Sequence, residues 1–185
     1  HNHLGIKFNN SLDLIYNDIR KFGFIKILSH KMLEFNKHIS KLGPEPLSSK
    51  FNFNYMRQRS KNKKINIKNF LMDQKCISGL GNIYANEILF ISSINPKKNT
   101  NKLSDREIIK IVSNTKKILK KAIQLGGSSI KDFNGVSGNK GLFQQKFKVY
   151  DRANKSCLKA ECEGSIKKIY VSNRSTFYCE KCQKN

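Results

Sequence analysis

Cys157-Leu158-Lys159-Ala160-Glu161-Cys162, and then Cys179-Glu180-Lys181-Cys182 after sixteen intervening residues, decide the reading of this chain. Two close cysteine pairs suit two knuckles that bring four thiolates onto one tetrahedral ion at about 2.3 Å. Two disulfides are the competing reading, but clustering in one short segment favours a metal, with zinc first. Four cysteines leave no open coordination position, so the ion is structural. A module this small has too little core to fold alone, and the metal supplies stability. Cysteines used this way fit an intracellular, reducing compartment. The fifth, Cys76, stands alone and reads as a small buried hydrophobe.

Inside the module, Ser172-Asn173-Arg174-Ser175-Thr176-Phe177-Tyr178 runs straight into Cys179. Arg174 at such a hairpin tip is either a rigid phosphate contact or a solvated surface charge. The rest of the module shows β-like runs over 147–150 and 168–172.

Upstream lies a helical region. Ser104 and Glu107 form a capping box ahead of Ile108, Ile111, Val112, Thr115, Ile118, Leu119, Ala122 and Ile123 on one face. Gly126-Gly127 stops that helix. Shorter helices are expected over 51–59, 67–74 and 82–92. Ser78-Gly79-Leu80-Gly81-Asn82 opens the last of these. A helix start after glycines presents N–H groups to an anion, although capping without function is the commoner case. Arg57, Arg59, Lys61, Lys63, Lys64 and Lys68 form an acid-free run that is either a solvated face or a phosphate surface. Residues 128–146 read as a long polar connection of the kind that is functional or disordered.

Gly43-Pro44-Glu45-Pro46 breaks the pattern and marks the domain boundary. Before it come strands at 4–8 and 12–16 around the turn Asn9-Asn10-Ser11, and a third candidate at 24–28. They read as the end of a sheet whose other strands lie elsewhere. Arg20 and Phe22 share the loop 17–23. That pair suits insertion into a base stack, whereas Phe22 taken alone reads as core. The four histidines show no ligand spacing.

The chain has 185 residues, 36 Lys plus Arg against 13 Asp plus Glu, and a net charge of +23. Small soluble domains carry roughly 2–8. This charge argues against small acidic or neutral metabolites and for a polyanion, nucleic acid first. The richness in Lys, Asn and Ile also reflects coding bias. No apolar run approaches the roughly 18 residues of a membrane span. There is no signal-peptide pattern, and the chain starts at His1, so it reads as processed or as a piece of something longer.

Taken in order, several motifs closely resemble bacterial formamidopyrimidine-DNA glycosylases. They are Leu42-Gly43-Pro44-Glu45-Pro46-Leu47, Lys68-x-x-Leu71-Met72-Asp73-Gln74, Gly79-Leu80-Gly81-Asn82-Ile83-Tyr84-Ala85-Asn86-Glu87, Lys131-Asp132-Phe133, Gln144-x5-Tyr150 and Arg174-Ser175-Thr176-Phe177-Tyr178-Cys179-x2-Cys182-Gln183. Asn17-Asp18-Ile19-Arg20-Lys21-Phe22-Gly23 is similar to the family's intercalation loop.

The resemblance implies an α+β, multi-domain fold. Residues 1–43 would end an N-terminal β-sandwich, 44–145 would form a helix–two-turn–helix domain with a lid, and 146–185 a zinc-finger β-hairpin. It implies base-excision repair: a DNA glycosylase and abasic-site lyase that removes 8-oxoguanine and formamidopyrimidines from duplex DNA. Asn82 and Arg174 match the phosphate clamp, Lys68 a further basic contact, and His1 or His3 a phosphate-contacting histidine. Arg20 and Phe22 match residues that fill and wedge the base stack. Lys131, Asp132 and Phe133 match the lesion lid. Cys157, Cys162, Cys179 and Cys182 match the ligands of one structural Zn2+, with the first pair spaced more widely than the family's x2.

A monomer in the bacterial cytoplasm, at the nucleoid, is implied. The family's chemistry needs an N-terminal Pro-Glu, the proline amine attacking the sugar. These residues contain none, so the chain reads as a glycosylase fragment without its nucleophile, inactive alone. The alternative is a non-catalytic, zinc-dependent binder of damaged or abasic DNA. An RNA-associated zinc ribbon accounts for the charge and the cysteines but not for the order of the motifs. The endonuclease VIII relatives share the helical domain and the finger; Gly-Pro-Glu-Pro and the long lid favour the purine enzyme.

Overall fold

A computed structural model describes residues 1–128 and 141–184. The chain divides into two compact units, His1–Ser40 and Lys41–Asn185.

In the first unit, β1 (Asn2–Lys7) and β2 (Asp13–Asn17) pair antiparallel, with Gly5 opposite Ile15 and Ile6 opposite Leu14. Ser11 turns the chain at φ 62°, close to the expected Asn-Asn-Ser turn. The expected third strand at 24–28 does not form. A strand needs a partner for its N–H and C=O groups, and this sheet has two strands only. A four-residue helix, α1 (His30–Leu33), follows. No residue of 1–40 is buried, and Leu4, Ile6, Leu14 and Ile15 are all exposed. A two-stranded ribbon has no opposing layer in which to bury either face.

The second unit holds the helices α2 (Phe53–Ser60), α3 (Ile67–Met72), α4 (Asn82–Ser92) and α5 (Asp105–Gln124). It also holds the hairpin β3 (Ile166–Val171) and β4 (Arg174–Cys179). Caps set the helix bounds. The Asn52 side chain accepts from Tyr55 N–H, so α2 starts two residues later than its apolar pattern. Asp73 leaves helical geometry, which ends α3 at Met72. The freed Gln74 side chain accepts from Gly79 N–H at 2.7 Å and donates to Leu80 C=O at 3.0 Å. That clasp shapes the loop leading into α4.

The Ser104–Glu107 capping box forms as expected, and Gly126 and Gly127 end α5 at φ 71° and 80°. Ile108, Ile111, Thr115, Ile118 and Ala122 are buried, whereas Ile123 is exposed. At about 100° per residue, Ile123 lies at the edge of that stripe. The helical core gathers Phe51, Met56, Phe70, Ile88 and Ile111, and Cys76 is buried within it.

A second core joins Phe90 of α4 to Val149, Ile166, Phe177 and Cys179. Aromatic rings run continuously between the two cores: Tyr84, Phe143, Phe147, Tyr150 and Phe177 meet in succession at centroid spacings of 5.1–5.8 Å. The expected β-run at 147–150 is absent. The N–H groups of Lys148, Val149 and Tyr150 instead converge on the Glu87 carboxylate at 2.8–3.1 Å. A buried carboxylate that accepts several backbone N–H groups competes with any ladder. Among the described residues, no helix is long and apolar enough to cross a membrane.

Candidate nucleic-acid interface and metal centre

The sulfurs of Cys157, Cys162, Cys179 and Cys182 all lie within 4.8 Å of one another. Cys157 and Cys182 are 3.8 Å apart, Cys162 and Cys179 3.7 Å. Tetrahedral ligation at about 2.3 Å requires a sulfur–sulfur edge of about 3.8 Å. A disulfide requires about 2.05 Å. The cluster therefore fits one tetrahedral metal ion. The wide first pair is accommodated by a turn at Glu161, φ 59°. Cys157 N–H donates to Gly164 C=O at 2.8 Å. A Cβ on Gly164 would sit 2.7 Å from the Cys179 sulfur and 2.9 Å from Lys181 Cβ, so the knuckle requires glycine there. The Gly164 N–H also draws the Cys162 thiol pKa down, toward the thiolate a metal needs.

The hairpin above this cluster turns through Ser172 and Asn173, both at positive φ. That two-residue turn matches strand twist and delivers Arg174 at the tip. Three of the residues singled out by sequence meet here. Lys68, from α3, is fully buried; its Nζ donates to Thr176 Oγ1 at 2.6 Å and to Ser175 C=O at 3.1 Å. Asn82, first residue of α4, donates from Nδ2 to the same Ser175 carbonyl at 3.0 Å. Arg174 is exposed, and among the described residues its guanidinium has no hydrogen bond or ion pair.

Burial and, secondarily, the Arg174 charge pull the Lys68 pKa down from 10.5 to about 8. No carboxylate contributes. Two cations and an amide donor drawn from two helices and the hairpin, with no carboxylate acting on Lys68, form an electrostatic setting for an anion.

Two other members of the basic run are engaged with partners of their own. Arg57 pairs with Asp105 at 3.2 Å, and Arg59 donates to Lys75 C=O at 3.0 Å.

Within the first unit, Asp18 organises the loop 17–23. Its carboxylate accepts from Gly23 N–H at 2.7 Å, Arg20 N–H at 3.0 Å and Tyr16 OH at 3.1 Å. The Gly23 N–H is the main influence that lowers its pKa. The loop presents Phe22, 79% exposed, with the Arg20 guanidinium 4.9 Å from its ring centroid. Phe22 is therefore not core. His3 Nε2 donates to Asp18 C=O at 2.9 Å, and His1 C=O accepts from Asp18 N–H at 3.1 Å. Both histidines are exposed beside this loop. Lys131, Asp132 and Phe133 lie outside the described residues.

Residue-type reasoning missed the parts that hold the site together. Asn86 Oδ1 accepts from Phe177 N–H at 2.7 Å, while its Nδ2 donates to Asn82 C=O at 2.7 Å. Gln183 accepts from Cys179 N–H and donates to Ile94 C=O, both at 2.9 Å. Burial pushes the Glu87 carboxyl pKa up, and its three N–H donors pull against that. A polar cleft of about 550 Å³, lined by Gln144, Tyr150, Arg152, Lys155, Lys168 and Ser175, adjoins the hairpin. Gln144, Tyr150 and Ser175 of its lining lie in the motifs quoted above, but nothing in those motifs announced a cleft.

Comparison with known proteins fits this geometry. The family model described as the formamidopyrimidine-DNA glycosylase H2TH domain matches residues 42–134. The formamidopyrimidine-DNA glycosylase of Idiomarina loihiensis is 43% identical over 184 residues, covering 100% of this chain and 67% of the relative. That of Ruthia magnifica is 44% identical over 186 residues, covering 99% and 66%. A structure of Lactococcus lactis Fpg with an abasic site containing DNA superposes with a TM-score of 0.90 at 36% identity, covering 100% of this chain and 67% of that one. A variant of the same Lactococcus lactis protein, in complex with a Fapy-dG containing DNA, superposes with a TM-score of 0.91. The chain thus spans about two thirds of the length of its curated relatives. Matched along nearly its whole length at this identity, the chain belongs to the formamidopyrimidine-DNA glycosylase family.

Proposed function

We propose that residues 1–185 are the DNA-gripping part of a base-excision repair glycosylase and abasic-site lyase acting on oxidised purines in duplex DNA. The carrying observation is the meeting of Lys68, Asn82 and Arg174 on one hairpin tip with no acid among them. Arg174 and Asn82 would hold the backbone phosphate at the damaged nucleotide, with Lys68 supplying charge from behind. Arg20 and Phe22, stacked on an ordered loop, would enter the duplex where the base leaves it. His1 or His3 would add a phosphate contact beside that loop, and Lys131, Asp132 and Phe133 would close over the extruded base.

In domain terms, 1–43 would end a β-sandwich, 44–145 would be the helix–two-turn–helix domain and 146–185 the finger. Zinc is the metal we assign to the four cysteines: a closed four-thiolate tetrahedron suits its coordination and leaves it a structural role. Such a protein would work as a monomer in the bacterial cytoplasm, at the nucleoid.

Base displacement in this family calls for a free secondary amine. The chain's three prolines, Pro44, Pro46 and Pro96, are all internal and have none. Residues 1–185 would therefore bind without cutting. That keeps a second reading alive, a zinc-dependent binder of damaged or abasic DNA.

The test uses the zinc-loaded chain and a duplex with one stable abasic-site analogue. Arg174→Ala should weaken binding by roughly 1–3 kcal/mol at physiological salt. Unchanged affinity would overturn the clamp. Borohydride trapping of a covalent adduct on 8-oxoguanine duplex would overturn the assignment of binding without chemistry.

A further inference from the structure

Arg174 has no side-chain partner among the described residues, yet the clamp needs its long side chain aimed. An exposed arginine loses roughly 2 kcal/mol of rotamer freedom when held. Whatever aims it therefore acts through its backbone. The tip is tied down one residue at a time. Ser172 Oγ accepts from Asn69 Nδ2 at 2.6 Å, Ser175 C=O accepts from Lys68 and Asn82, and Phe177 N–H donates to Asn86. The Arg174 carbonyl is held by Thr176 Oγ1 at 3.0 Å. Thr176 is fully buried and also accepts from Lys68 Nζ at 2.6 Å.

The direction of these bonds is forced. An ammonium has donors only, so the Thr176 hydroxyl must accept from Lys68. Its single proton is then left for the Arg174 carbonyl, which can only accept. Residues 174 and 176 also share one face of β4, since side chains alternate along a strand.

We propose that Thr176 is a positioning residue: its hydroxyl relays Lys68 to the Arg174 carbonyl and fixes the direction in which the guanidinium meets a DNA phosphate. The proposal rests on the clamp reading above. It goes further by assigning a role to a residue that is fully buried. Valine has the shape of threonine but can neither accept from Lys68 nor donate to Arg174. Serine can do both.

The experiment is a double-mutant cycle on the full zinc-loaded chain, with affinity for the abasic-analogue duplex read by fluorescence anisotropy and folding by urea midpoint. Thr176→Val removes both bonds and should weaken binding roughly threefold to tenfold, the scale of the one bond that reaches Arg174. Thr176→Ser should return affinity to within about twofold of the parent. In an Arg174→Ala background, Thr176→Val should change nothing further. Wild-type affinity in Thr176→Val overturns the proposal, as does an equal loss with and without Arg174. An Arg174→Ala chain that binds normally defeats the clamp reading itself, and Thr176's role with it. If Thr176→Val does not fold, Thr176→Ala replaces it in the cycle. Failure of both to fold makes Thr176 a structural residue and also overturns the proposal.

Discussion

Lys68 holds its ammonium out of water, and the charge acting on it is an arginine rather than an acid. Its pKa falls to about 8 in the folded chain. The folded state therefore sheds this proton at a pH where the unfolded state still holds it. Stability from this group rises with pH between about 8 and 10.5, because the cost of the buried charge is relieved. The proposed phosphate contact has the opposite interest, since it would use the ammonium. Affinity for an abasic duplex should fall from about pH 8 upward, by up to about tenfold per pH unit for one linked proton. In Lys68→Met the profile should be flat over that range, as measured by anisotropy titration. Gly164 makes a steric case. A Cβ there would lie 2.7 Å from the Cys179 sulfur and 3.4 Å from that of Cys162, so Gly164→Ala must push Cys179 or Lys181 aside. Zinc affinity should drop about tenfold or more, the scale of disturbed support around a metal ligand. Competition with a chelating dye reads it.

At the level of elements, α4 is the hub. Its first residue, Asn82, reaches the hairpin tip, Asn86 and Glu87 hold the finger's backbone, and Phe90 enters the finger's core. One helix thus has to satisfy two cores and a polar seam. Glu87 binds three N–H groups that would otherwise be orphaned near the hydrophobic core. Removing it should cost at least about 2 kcal/mol, because charged hydrogen bonds are lost and buried donors left unpaired. Glu87→Ala should lower the urea midpoint accordingly. Tyr150, which that nest holds at the rim of the polar cleft, should lose its fixed environment. A midpoint equal to the parent's would show that the nest is incidental.

At the scale of the molecule, the cysteine cluster and the helices are not separable. The finger's cysteines and Phe90 share one apolar cluster, and the aromatic ladder carries that cluster back to Tyr84. Chelating the metal should therefore melt more than the last forty or so residues. We expect about one zinc per chain, loss of the near-ultraviolet aromatic signal on chelation, a lower thermal midpoint and loss of DNA binding. All should return on adding zinc. Retention of the aromatic signal after complete metal removal would show that the packing stands without the ion.

Local chemistry was legible in the sequence. The cysteine spacing predicted a four-sulfur cluster, Ser104 and Glu107 a capped helix, Gly126-Gly127 its end, and the motif order the family. These are short-range demands: a tetrahedron needs close pairs, a helix end needs a cap, and a left-handed turn favours glycine. Tertiary structure alone decided the rest. Residues 147–150 have β-type composition, but Lys148, Val149 and Tyr150 give their N–H groups to a glutamate some sixty positions earlier. Residues 24–28 look like a strand and have no partner. Lys68 belongs by sequence to a basic run, yet it is buried beneath a hairpin more than a hundred residues away. Composition cannot show which distant backbone groups will compete for a side chain. That competition is settled only when the elements pack, because every buried donor and charge must then find its partner.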